Sequence, residues 1–186
     1  MRTGAWLLAA AAFAAGCSSN SGGERVARSY DFGVEAPAAR LPAVRVGAVR
    51  AAPPFDSTDM HYRLAYRDVA ELHAFVQSRW AAAPAELYRK QLLRAADGAA
   101  GRCTLEVELH EVTQVFLSKE SSEALLELRA RLADGNATLA EKRLRIAQPG
   151  AGGAAAAGAA AMAKATDRSI AELAAWIAAE ARCKGR

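Results

Sequence analysis

Apolar and polar positions alternate most plainly in the second half of the chain. Leu105, Val107 and Leu109 alternate with Thr104, Glu106 and Glu108, the pattern of a strand with one buried face. The alternation slips near Glu111 and resumes with Val115 and Leu117, which predicts a bulge. Leu126, Leu128, Ala130 and Leu132 repeat the pattern, and Asp134-Gly135-Asn136 is a hairpin turn signal. A third strand follows over 140–147. The connections are too short for crossovers, so these three strands form an antiparallel meander.

Earlier in the chain, 29–34 and 44–48 read as short strands, the second stopped by Pro53-Pro54. Met60, Tyr62, Leu64 and Tyr66 alternate with His61, Arg63, Ala65 and Arg67, predicting a strand over 60–66. The stretch 68–74 reads as a short helix or as irregular, and 75–80 as a strand. Pro84 opens a helix, since its missing N–H costs nothing in the first turn. Asp97-Gly98 stops that helix. Residues 148–153 read as a loop, and the alanine run 154–161 leaves helix or coil open. From Met162 the helix is firm, with Ile170, Leu173 and Ile177 as its core stripe beside Ala174 and Trp176, and with Asp167 and Glu172 facing away. The fold class is therefore α+β: one antiparallel sheet with packed helices in a single domain.

The first twenty residues have a different grammar. Arg2 precedes the twelve-residue apolar run 4–15, which has secretory length and falls short of the roughly 20 residues a spanning helix needs. Ala14-Ala15-Gly16-Cys17 resembles the bacterial lipobox, with alanine where leucine is commonest. The expectation is a lipoprotein signal at 1–16, cleaved before an acylated Cys17. The small polar segment up to residue 27 then acts as a flexible tether, and the folded domain is 28–186. Ser18 in place of aspartate points to the outer membrane, facing the periplasm.

Of 186 residues, 48 are alanine and only 3 are cysteine, which excludes a disulfide-dense miniprotein. The net charge of +4 arises from 24 basic and 20 acidic residues spread along the chain, so nucleic acid is not indicated. With Cys17 committed to the anchor, Cys103 and Cys183 remain as an even pair in an oxidising compartment, which predicts a disulfide between them.

Catalytic grammar is missing from the sequence. His61, His73 and His110 have no metal-ligand spacing, and no HExxH, CxxC, GxSxG or Walker motif occurs. Glu106, Glu108 and Glu111 read as a solvated strand face rather than paired acids. The expectation is a non-enzyme with no cofactor and no metal.

Several short motifs occur in order: Tyr30-Asp31-Phe32-Gly33, then 41–49, Met60-His61-Tyr62-Arg63, Ser78-Arg79-Trp80-Ala81 with Pro84, and Thr113-Gln114-Val115-Phe116. The series continues with 127–132, 165–169 and Ala175-Trp176. This order, behind a lipobox, resembles the ABC-type transport auxiliary lipoproteins, which include the PqiC-like component of paraquat-inducible lipid transport systems. The glycine- and alanine-rich run after Pro149 departs from a more acidic family pattern.

The resemblance implies an α/β domain with an antiparallel sheet, able to form homo-oligomeric rings. It also implies partners, an MCE-domain protein with an inner-membrane ABC permease and ATPase. Tyr62, Tyr66 and Trp80 are the candidate partner contacts, because large aromatics anchor interfaces, against burial as the alternative. Arg63, Arg67 and Arg79 could meet an acidic partner or lipid headgroups. Two other functions stay open, a structural lipoprotein assisting another envelope complex and a lipoprotein hydrolase.

Overall fold

The computed structural model describes residues 27–96, 98 and 101–183. Cys17, the signal, nearly all of the tether and Asp97 lie outside them. The strands are β1 (Arg28–Tyr30), β2 (Arg45–Ala51), β3 (Asp59–Leu64), β4 (Asp68–Trp80), β5 (Thr104–Phe116), β6 (Ser122–Asp134) and β7 (Ala137–Gly150). The helices are α1 (Pro84–Ala95) and α2 (Ala155–Ala179), followed by a 3-10 turn at Ala181–Cys183.

All seven strands form one sheet in the order β1-β4-β3-β5-β6-β7, with β2 also on β5. The expected meander is there: β5 pairs β6, and β6 pairs β7, both antiparallel. The sheet as a whole is mixed, because β1–β4, β2–β5 and β3–β5 run parallel. One edge of β5 serves two partners end to end. Its first half, up to Leu109, pairs β2, and Thr113–Phe116 pairs β3. The register shift between Leu109 and Glu111 falls at the junction, where the sequence pattern slips.

Helix α2 lies across β6 and β7, and α1 against β2. Their common face buries Leu105, Leu109, Leu126, Leu128 and Leu132 from the sheet against Tyr88, Leu92, Met162, Ile170, Leu173 and Ile177. Each such side chain contributes about 2 kcal/mol of transfer free energy. Helix α1 buries Pro84, Leu87, Tyr88, Gln91, Leu92 and Ala95, an i, i+3, i+4 stripe. The Tyr88 hydroxyl lies 2.7 Å from Ser169 Oγ, and burial pushes its phenol well above the ordinary value. The Cys103–Cys183 disulfide (Cα separation 5.2 Å) joins the start of β5 to the 3-10 turn after α2.

Some local expectations change, and one reading left open is decided. The stretch 68–74 is strand, continuous with 75–80 in β4. Register shifts between Asp59 and His61 and between Arg63 and Leu64 put extra β4 residues opposite β3. Such insertions erase a two-residue period, which is why the segment imitates a helix or loop. Strand β3 ends at Leu64, so Tyr66 falls in the turn. Strand β7 extends through Gly150, into the expected loop. The alanine run is helical from Ala155, where small side chains let α2 approach the sheet.

That approach is closest at Gly158. A Cβ there would stand 2.2 Å from Gln114 Oε1. Gln114 is buried, and its Nε2 donates to Ser122 Oγ (2.8 Å) and to the Ala154 carbonyl (3.4 Å). Gly158→Ala should therefore destabilise by about 1–2 kcal/mol, despite a helix-propensity gain of up to about 1 kcal/mol. Gln114→Ala in the same chain should recover most of that loss, because the obstructing atoms belong to a side chain. Urea melts of the two single variants and the double variant measure this; strictly additive losses would refute the contact.

Candidate functional site

The β3–β4 hairpin and the uncovered face of the sheet carry the features suited to docking. Arg63 holds the hairpin together. Its Nε and Nη2 donate to Glu111 at 2.8 and 3.1 Å, and its Nη1 donates to the carbonyls of Val69 and Ala70, both at 3.3 Å. Glu111 also accepts from Thr113 Oγ1 at 2.8 Å. With side-chain exposures of 19% and 14%, this is a largely desolvated bidentate pair. Arg63 is thus an internal brace of the hairpin, paired within the fold and little exposed. Its geometry depends on two irregularities: the β5 bulge that presents Glu111, and the β4 register shift beside Val69–Glu71.

Removing the brace leaves Glu111 half-paired in a shielded position. Arg63→Ala should cost about 2 kcal/mol, with the loss concentrated in β4. Amide exchange at 68–72 should accelerate before that of β5–β7. Unchanged protection across those residues would show that the hairpin holds without Arg63.

On the helix side of the hairpin, Tyr62 stacks on His73 (centroids 4.9 Å, 19° between planes) and contacts Phe75 at 4.6 Å and Phe116 at 5.7 Å. Tyr62 is half-buried in this cluster. Tyr66 is 42% exposed in the turn that follows. Trp80 is only 3% exposed and meets Phe32 edge-on at 5.2 Å. It is a core residue, so the structure removes it from the contact candidates. Of the three aromatics, Tyr66 alone presents a substantial free surface, and the fold does not bring the three together.

The sheet face away from the helices is a ladder of cross-strand ion pairs. Arg131 bonds Glu106 (Nε–Oε2 2.9 Å), Arg129 bonds Glu141 (2.7 Å), and Arg145 bonds Glu127 (2.6 Å). The Glu141 hydrogen bond holds the Arg129 guanidinium above its ordinary value. Glu108 lies 3.4 Å from His110. Two shallow grooves lie on this face, one lined by Arg50, Glu106 and Arg131, the other by His110, Arg143 and Arg145. Glu106 and Glu108 thus line an open charged face, whereas Glu111 is enclosed with Arg63. Alternating charge along each strand signals such a face, but the partners depend on register.

Among the described residues, no group of three or more His, Cys, Asp or Glu side chains is placed to hold a metal ion. Also among them, no helix is long and apolar enough to cross a membrane.

The architecture is an α+β domain with both helices on one face of a mixed sheet, and known structures share it. A crystal structure of a Xanthomonas campestris protein of the DUF330 family matches with a TM-score of 0.66 at 20% identity, covering 81% of this chain and 94% of that one. A second crystal structure, of an uncharacterised protein, matches with a TM-score of 0.64 at 11% identity, covering 82% of this chain and 99% of the other. These likenesses define the fold. No family model matches the sequence. No curated protein matches it either.

Proposed function

We propose that this protein is an outer-membrane-anchored periplasmic lipoprotein, acting as a non-catalytic auxiliary component of an MCE-type ABC lipid transport system. The observation that carries the proposal is the whole-domain likeness to a DUF330 protein, covering 94% of that chain. It agrees with the ordered motifs and the lipobox in this sequence. In this reading Cys17 carries the lipid. Docking falls to surfaces rather than to a reaction centre. The partners are an MCE-domain protein and the permease and ATPase that drive it. A tether to one membrane raises the local concentration of the domain near a partner that bridges the periplasm. The open sheet edges, β7 and the part of β4 before Ser78, are suited to self-association in a ring.

Co-purification tests the reading. The native envelope is solubilised in mild detergent, the protein is captured by its C-terminus, and its companions are identified by mass spectrometry. An MCE-domain protein and a permease should accompany the wild type and be lost or depleted with Cys17→Ser. Their absence even after cross-linking would overturn the transport reading.

A further inference from the structure

We infer that the end of the sheet bearing the β3–β4 and β5–β6 turns rests against the phospholipid surface that holds the anchor. This inference depends on the proposed acylation of Cys17. The orientation comes from the path of the chain. Strand β1 is parallel to β4, with Arg28 beside Ser78 and Tyr30 beside Trp80. Traced backwards from Tyr30 to Arg28, β1 therefore points toward the start of β4. That start is the hairpin turn, because Asp68 pairs with Leu64. Leu64 in turn pairs with Phe116, so the β5–β6 turn lies at the same end. The start of α2 is there as well, since Gly150 pairs with Ser122 at the beginning of β6. A surface groove lined by Arg28, Tyr30, Gln77, Ser78 and Ala154–Ala156 places β1 beside the start of α2.

Reach agrees with direction. From the pairing of Asp59 with Arg79 to that of Leu64 with Asp68 is five residue steps along β3, about 17 Å. The eleven steps from Cys17 to Arg28 span at most about 40 Å. An acyl group on Cys17 can thus reach a bilayer in contact with the turns. The opposite end, with the Asp134–Ala137 turn, lies behind the direction in which β1 runs from Tyr30 to Arg28.

The surface at this end has suitable chemistry. Tyr66 (42% exposed), Val69 (60%) and Leu117 (52%) are half of the exposed large apolar side chains among the described residues. Val76 follows on β4, whereas Val34 and Leu93 belong to α1 and the loop it binds. Arg67 and Lys119 stand beside the apolar residues as headgroup partners. Acidic residues share this end: Asp68 accepts from the Ala70 amide (2.8 Å), Glu120 from the Ser118 hydroxyl (3.2 Å), and Glu71 lies 3.4 Å from His73. The 151–154 loop adds only alanine and glycine. Exposed apolar tips flanked by cations suit the interface between headgroups and acyl chains. This orientation leaves the ion-paired sheet face and the disulfide corner free for periplasmic partners.

Depth-dependent quenching tests the inference on the full acylated chain. Val69→Cys and Leu117→Cys, with Asn136→Cys at the opposite end, are each labelled with an environment-sensitive fluorophore. In each, the introduced thiol is the free one, because Cys103 and Cys183 are bonded and Cys17 is acylated. The proteins are reconstituted in phosphatidylethanolamine–phosphatidylglycerol vesicles with or without brominated acyl chains. The first two labels should be quenched at least about threefold more than the label at position 136. If the protein is acylated and floats with the vesicles while all three labels are quenched alike, the orientation is wrong and the anchor stands. If those labels escape lipid but cross-link to a protein in intact cells, this end is a protein interface and the inference also falls. A mass spectrum without acyl chains would overturn the anchor, and the orientation with it.

Discussion

Replacing Cys103 or Cys183 by serine should lower the melting temperature by roughly 5–15 °C, the largest loss expected from removing a single atom pair in this domain. The two cysteines are 80 residues apart, so the bond closes a long loop in the unfolded chain. Chain entropy assigns such closure about 2–4 kcal/mol. The cross-link also spans separate elements, joining the 3-10 turn after α2 to the entry of β5. Both sulfur-bearing residues are buried, Cys103 at 0% and Cys183 at 4% exposure, and a serine there would bring a hydroxyl into an apolar corner. Reductant should reproduce most of the loss in the wild type and add little in either variant. Scanning calorimetry with and without reductant decides it; equal melting temperatures in all six conditions would show that the bond does not support the fold.

Gly101→Ala should be at least as damaging, costing several kcal/mol and leaving little folded protein in the soluble fraction. A Cβ on Gly101 would stand 1.9 Å from the Ala43 carbonyl oxygen, 2.3 Å from its carbon and 2.6 Å from the Val44 nitrogen. These are backbone atoms, so no rotamer change relieves the overlap, in contrast to the side-chain obstruction at Gly158. The strand that must move is fixed: Arg45 N–H donates to the Cys103 carbonyl at 2.9 Å, opening the β2–β5 ladder. The glycine and the disulfide occupy one corner, so their effects should not add. Chemical denaturation of Gly101→Ala beside Gly158→Ala is the check. Comparable midpoints for the two would refute the distinction between backbone and side-chain contacts.

The candidate surfaces were unevenly legible. Tyr66 was recognisable as an exposed aromatic only after β3 ended two residues earlier than its alternation suggests. Trp80 has the composition of an interface anchor, and its burial depends on Phe32, a residue 48 positions away. By sequence Arg63 reads as a contact for an acidic partner or headgroups, and Glu111 as part of a solvated strand face. They meet because β3 runs parallel to β5 and because the β5 bulge changes the register between Leu109 and Glu111. No local pattern carries that information.

What the sequence determined by itself is whatever rests on neighbours along the chain. The β5–β6–β7 meander follows from two-residue alternation and short turns, the start of α1 from Pro84, and the core stripe of α2 from spacings of three and four. The pairing of Cys103 with Cys183 followed from counting once Cys17 was set aside. Tertiary structure alone decided whatever depends on which strands become neighbours. It made β4 a strand by pairing it with β3 despite two register shifts, and it placed β2 and β3 together on one edge of β5. It also turned Arg63 inward and set β1 parallel to β4. The physical reason is common to all of these: periodicity reports which face of an element is apolar, whereas register and strand direction are set by the partner across the hydrogen-bonded ladder.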